Sequence, residues 1–169
     1  MNVLGVTGWS GAGKTTLLTL LIPELTARGL SVSTIKHAHH TFDMDKAGKD
    51  SYRHREAGAT EVLIASAARW ALLHENRDTA EPGLETLLAN LSPVDLVLVE
   101  GFKGEGHQKI EVHREGLGKP LLCRNDSSFI ALAANYRPAD LHLPLLDLDD
   151  VPALADFVID YCRTESAAS

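Results

Sequence analysis

The stretch "GWSGAGKT", residues 8–15, restricts the possible folds of this chain more than any other. It fits the spacing G-x-x-x-x-G-K-[ST]. The apolar run "NVLGVT" at residues 2–7 precedes it, and a leucine-rich segment, residues 14–28, follows it with Gly29 just past its end. That succession reads as strand, glycine loop, helix and C-cap. The glycines let the backbone wrap an anion with its N–H groups pointing inward, and the helix N-terminus adds positive potential. Lys14 reaches toward the outer phosphates, and the Thr15 hydroxyl is placed to hold Mg²⁺. The expected phosphate cradle is therefore Gly8, Trp9, Ser10, Gly11, Ala12, Gly13, Lys14 and Thr15, with Lys14 as its phosphate-binding cation.

The remaining periodicities build a domain around that loop. "SVSTIKH", residues 31–37, places β-branched residues on alternate positions and predicts a second strand, hence a βαβ unit with a parallel pair and a right-handed crossover. Pro23 removes one backbone hydrogen bond inside the first helix and predicts a bend there. "TEVLIAS" and "RWALLHE" (60–66 and 69–75) predict two strands joined by a tight Ala-Ala turn. Leucines at 84, 87, 88 and 91 predict an amphipathic helix. "VDLVLVE", "KIEVHR" and "FIALAAN" predict three more strands, and "VPALADFVIDYC" predicts a closing helix. The fold expected is α/β: a P-loop NTPase-type, three-layer domain with a mixed, mostly parallel sheet flanked by helices and extended by a β-hairpin. One domain spanning residues 1–164 is predicted, with a frayed tail at 165–169.

Charge and cysteine usage narrow the function. The formal net charge of −7 argues against a duplex-binding surface, which needs clustered excess positive charge. Cys123 and Cys162 have neither metal-ligand spacing nor a paired framework, which fits a reducing cytoplasmic setting. No basic leader and no apolar run near the ~20 residues of a membrane span is present. A soluble cytoplasmic protein with no membrane and no nucleic-acid partner is expected.

Two further regions carry chemistry. A P-loop is commonly matched by a carboxylate at the end of a neighbouring apolar strand. "VDLVLVEG" supplies Glu100 there, followed by Gly101, whereas Asp95 sits at the strand's start. The second region, residues 36–59, packs four of the eight histidines among three aspartates and five Lys or Arg residues. It follows the second strand, on the edge where ligands of such sheets sit. Read as a metal site, it offers His37, His39 and Asp43 but no Cys pair and no helical i, i+4 histidines. Read as a nucleic-acid patch, it lacks stacking platforms. As a nucleotide-sensing segment, its carboxylates would orient Mg²⁺ or an attacking water while Lys36, Lys49, Arg53 or Arg55 meet phosphates. A solvated loop is the plain alternative. Asp43 and Asp45 alternate, so on an extended backbone both carboxylates point one way. Residues 50–57 then predict a short helix capped by Gly58.

"GWSGAGKTTLL", "IKHAHHTFDMDKAGKDSYRHREAGA", "RWALLHE" and "DLVLVEGFK", in that order, resemble the MobB family of molybdopterin-guanine dinucleotide biosynthesis adaptor proteins from Val3 to about Phe157. The resemblance implies a SIMIBI-type P-loop protein, dimeric, binding GTP with Mg²⁺ and hydrolysing it slowly. It implies assistance to a MobA-type guanylyltransferase that joins GMP to molybdopterin, with molybdopterin itself a possible ligand. Carried onto this sequence, it marks Gly8 to Thr16, His37, Lys49, Asp50, Glu100 and Gly101 as cofactor-binding residues. Phe102 and Lys103 complete the turn after Glu100. Thr15, Asp45 and Glu100 become metal ligands, and Asp45 joins Lys14 as a catalytic residue. Two departures stand out: Lys46-Ala47-Gly48 replaces a proline-glycine turn, and no N-K-x-D motif exists. Asp126 in "RNDSS" is the residue placed late enough to contact a base. A P-loop kinase acting on a small molecule and a nucleotide-dependent metallochaperone share the cradle and remain alternatives.

Overall fold

The computed structural model describes residues 1–38 and 42–168. The chain divides into two compact units, Met1–His37 with Leu87–Ser169, and Ala38–Thr86.

The first unit is built on six strands: β1 (Asn2–Thr7), β2 (Val32–Lys36), β5 (Leu96–Glu100), β6 (Lys109–His113), β7 (Phe129–Ala134) and β8 (Leu145–Asp147). They lie in the order β2-β5-β1-β6-β7-β8, and every pairing is parallel. Antiparallel pairing is confined to a separate hairpin, so "mixed" describes the chain and not this sheet. Strand β8, three residues long, carries too short a pattern to be legible in the sequence.

Helix α1 (Lys14–Ala27) runs unbroken through Pro23 and buries Leu17, Leu18, Leu21 and Leu25. It packs with α4 (Val151–Ala168) through Leu154, Ala155 and Val158 over Leu4, Val6, Leu98, Ile110 and Val112. Helix α4 continues through Ala168. The alanines and Glu165 there are good helix formers, and the Thr164 hydroxyl donates to the Asp160 carbonyl. No helix among the described residues is long and apolar enough to cross a membrane.

The other face of β6 is covered differently. Lys109, Glu111 and His113 alternate with Ile110 and Val112, and all three are buried. The connection between β6 and β7 folds over them. The Glu111 carboxylate accepts the N–H groups of Leu122 and Cys123, each at 2.9 Å. The His113 Nε2 lies 3.0 Å from the Lys119 carbonyl, and the Lys109 ammonium donates to the Ser128 hydroxyl and the Glu105 carbonyl. A buried polar group without a partner is costly, and these bonds supply the partners. Along this stretch the third layer is a polar-anchored loop.

The second unit holds α2 (Asp50–Glu56), the hairpin of β3 (Glu61–Ala65) and β4 (Trp70–His74), and the start of α3 (Leu84–Ala89). The Ser66 N–H donates to the Arg69 carbonyl at 2.9 Å, closing the Ala67-Ala68 turn as expected. Asp43 and Asp45 do not alternate on an extended strand: Asp43 Oδ1 accepts the Asp45 N–H, an Asx-turn that bends the chain. Arg55 organises this unit, pairing with Asp43 at 2.9 Å and Glu75 at 3.2 Å and lying over the Tyr52 ring.

Candidate phosphate-binding site

The loop between β1 and α1 sits at the carboxyl edge of the sheet because β1 ends at Thr7 and α1 begins at Lys14. Two glycines are there for stated reasons. A Cβ on Gly8 would lie 2.3 Å from the Val112 carbonyl oxygen, and Gly13, the residue before α1, has a φ of 98°. That left-handed conformation favours glycine. It leads the chain into the helix with no side-chain cap, so the first N–H groups of α1 lack side-chain acceptors and are suited to an anion.

Lys14 spans the loop, its ammonium donating to the carbonyls of Gly8 and Trp9, both at 3.0 Å. Burial holds it below the ordinary lysine range; Glu100 opposes that shift, and Lys103 and Lys36 add to it. The Thr15 hydroxyl donates to Glu100 Oε1 at 3.0 Å, across 85 residues of sequence. Glu100 is level with Lys36 in the parallel register of β2 and β5, and the Lys36 ammonium lies 3.3 Å from the same carboxylate oxygen. The pair of Thr15 and Glu100 is a hard oxygen donor set that fits Mg²⁺, with the Glu100 side chain only 12% exposed.

The turn after β5 is held tightly. The His37 N–H donates to the Glu100 carbonyl at 2.8 Å, and the Gly101 carbonyl accepts the Thr7 hydroxyl at 3.3 Å. Phe102 sits at a φ of 48°, unusual for an aromatic residue, and its ring packs on that of His37 with centroids 4.7 Å apart. Stored strain of this kind clusters at functional sites.

Trp9 is tied to the connection between β6 and β7. Its indole N–H donates to the Pro120 carbonyl at 2.8 Å, and the ammonium groups of Lys103 and Lys119 lie over its ring at 4.6 and 5.6 Å. Lys14, Lys36, Lys103 and Lys119 therefore gather around one loop of a chain whose net charge is −7. Lys119, Pro120 and Arg114 reach the loop from the β6–β7 connection, which nothing in their local sequence announces.

Asp126 does not join them. It precedes the N-terminal end of β7, the sheet edge opposite the loop, and Phe129 pairs there with Lys109. Its carboxylate accepts the N–H and hydroxyl of Ser128, and Lys109 lies 3.7 Å away. Those bonds hold it below the usual aspartate range and occupy it as a turn cap.

Asp45, Lys49 and Asp50 belong to the second unit. Asp45 Oδ1 accepts the Ser51 hydroxyl at 2.8 Å, while Oδ2 is buried with no hydrogen-bond partner among the described residues. Lys49 is the N-cap of α2, and Asp50, in its first turn, lies 3.9 Å from Arg53. His39 and His40 lie outside the described residues. Among the described residues no three His, Cys, Asp or Glu side chains gather as a metal site.

Comparison with known proteins fits this arrangement. Residues 3–135 match the family described as Molybdopterin guanine dinucleotide synthesis protein B. The chain is similar to the "Molybdopterin-guanine dinucleotide biosynthesis adapter protein" of Escherichia coli K12, with 46% identity over 97% of this chain and 95% of that protein. It is also similar to the protein of the same name from Haemophilus influenzae, with 48% identity over 92% of this chain and 86% of that protein. The crystal structure of a MobB homologue from Bacillus stearothermophilus superposes with a TM-score of 0.72 at 25% identity, covering 97% of this chain and 99% of that one. With a family match across most of its length and full-length relatives near half identity, the chain belongs to the MobB family.

Proposed function

We propose that this chain is an adapter of molybdopterin-guanine dinucleotide biosynthesis that binds GTP with Mg²⁺ and hydrolyses it slowly in the cytoplasm. In this reading it supports a MobA-type guanylyltransferase acting on molybdopterin, and it works as a homodimer. The observation that carries the reading is the bond from Thr15 to Glu100 beside the glycine loop, in a chain whose relatives are named as such adapters.

Mg²⁺, when bound, would neutralise charge on the outer phosphates, with the Thr15 hydroxyl and the Glu100 carboxylate as its protein donors. The loop N–H groups and the α1 N-terminus bind and orient the phosphates. Lys14 exchanges its two carbonyl partners for phosphate oxygens, and Lys36, beside Glu100, adds positive charge on that flank. Asp45, which keeps one buried carboxylate oxygen without a partner among the described residues, and its neighbours Lys49 and Asp50 are proposed as the residues of the second unit on which partner binding depends. Such a device sets a conformation and with it a partner's affinity, which suits slow turnover.

Titration with GTP, ATP and their diphosphates in Mg²⁺, followed by turnover with and without molybdopterin, tests this. Guanine-selective binding with turnover below about one per minute is expected, against ~1–100 per second for kinases. Equal binding of ATP, or rapid phosphate transfer to an acceptor, would overturn it in favour of a kinase. Stoichiometric metal that survives purification would favour the metallochaperone. Alanine at Asp45, Lys49 and Asp50 together is expected to abolish the stimulation of cofactor maturation while leaving the protein folded.

A further inference from the structure

We infer that Arg114 is a phosphate-binding residue of the nucleotide site, contacting the phosphates common to a nucleoside diphosphate and triphosphate. This inference rests on the loop being a nucleotide cradle, as proposed above. Thr7 pairs with Glu111 in the β1–β6 register, so Arg114 lies three residues further along, about 10 Å past that level and on the carboxyl edge with the loop. Its guanidinium reaches the loop backbone itself. A Cβ built on Gly13 would stand 3.1 Å from Arg114 Nε and 3.5 Å from Nη2. A side chain at Gly13 would press on the guanidinium and require it to give by a few tenths of an ångström.

No described residue forms an ion pair or hydrogen bond with that guanidinium, and the residue is partly buried. A partly desolvated arginine that carries its charge to an anion-binding loop without a carboxylate partner is poised for an anion of planar, bidentate geometry. The flank it occupies identifies which phosphates. Strands β5 and β6 lie on opposite sides of β1, so Arg114 approaches across the loop from Thr15 and Glu100. Thr15 and Glu100 mark the metal-binding, outer-phosphate side. Gly13 belongs to the run of N–H groups that cradles the inner phosphates, and Arg114 lies against it.

The test is binding of GDP, GTP, ADP and ATP with Mg²⁺ to the wild type, Arg114→Gln and Arg114→Lys, with melting temperatures taken with and without nucleotide. Arg114→Gln is expected to weaken the diphosphate and triphosphate of the bound base by a similar factor, about 10- to 100-fold. Arg114→Lys, which keeps the charge but loses the fork, is expected to fall between. The melting temperature of the nucleotide-free protein should stay unchanged while the rise on adding nucleotide shrinks. The inference is overturned if Arg114→Gln binds as the wild type does, if only triphosphate affinity falls, or if the nucleotide-free protein melts lower and binding per folded molecule is unchanged. Should Arg114→Gln fail to fold, Arg114→Lys decides by the same criteria. Loss of guanine preference in the wild type would sink the GTP reading and leave this one standing; a wild type that binds none of the four sinks both.

Discussion

Single side chains show how far burial alters chemistry here. His107 precedes β6 with both ring nitrogens buried and without hydrogen-bond partners among the described residues. Burial disfavours its imidazolium, the Lys109 ammonium repels it, and Glu105 and Asp126 offset this only in part, so it titrates below the ordinary histidine value. The unfolded chain takes up this proton below about pH 6.5 whereas the folded chain holds the ring neutral to lower pH, so stability rises with pH across that window. The melting temperature is expected to fall between pH 7 and 5, and His107→Phe to flatten that slope. A slope unchanged in the variant would assign the effect to other groups. Below about pH 4, Asp43, Asp95 and Asp126, all held low by hydrogen bonds, lose their native contributions as they protonate, which separates the acid limb from the histidine limb.

At the level of the element, β6 is the strand the sequence misdescribes. "KIEVHR" alternates polar and apolar residues, the pattern of a strand with one solvated face. Both faces are buried: Ile110 and Val112 under the helices, Glu111 and His113 under their own connecting loop. The strand's periodicity was legible, but the covering of its polar face was not, because the partners are backbone groups of residues 119–123 brought back by the fold. Glu111→Gln replaces one of two accepting oxygens with a donor that faces a backbone N–H. We expect it to lower stability by about 1–3 kcal/mol. Urea denaturation should show the midpoint falling with the slope retained. A loss below about 0.5 kcal/mol would mean that the loop finds other partners.

For the whole molecule, two surfaces set the behaviour. Around the glycine loop Lys14, Lys36, Lys103, Lys119 and Arg114 make a basic mouth in an acidic protein, an arrangement that concentrates small polyanions. On the hairpin, Leu63 pairs with Leu72 and Ala65 with Trp70, so Leu63, Trp70 and Leu72 share one face. They are 61%, 64% and 41% exposed. An isolated two-stranded hairpin is marginal in water, and an apolar face of this kind calls for cover. The homodimer proposed above would bury it, so Leu63→Asp with Trp70→Asp is expected to halve the mass measured by light scattering. A wild type that is already monomeric, or a variant that stays dimeric, would move the interface elsewhere.

The sequence alone determined the glycine loop, the helix behind it, every strand but β8 with their order along the chain, and Glu100 as the acid at a strand end. Each of these is written in neighbouring residues, whose periodicity and glycine placement act over a few peptide units. Only the tertiary structure decided that Asp126 caps a turn at the far edge, that Trp9 is pinned to Pro120 across 111 residues, and that Arg114 lies on Gly13. Those outcomes depend on strand order and register, which place β6 directly beside β1 although a hundred residues separate them. Pairing of that kind is set by the packing of the whole sheet, and local composition carries no record of it.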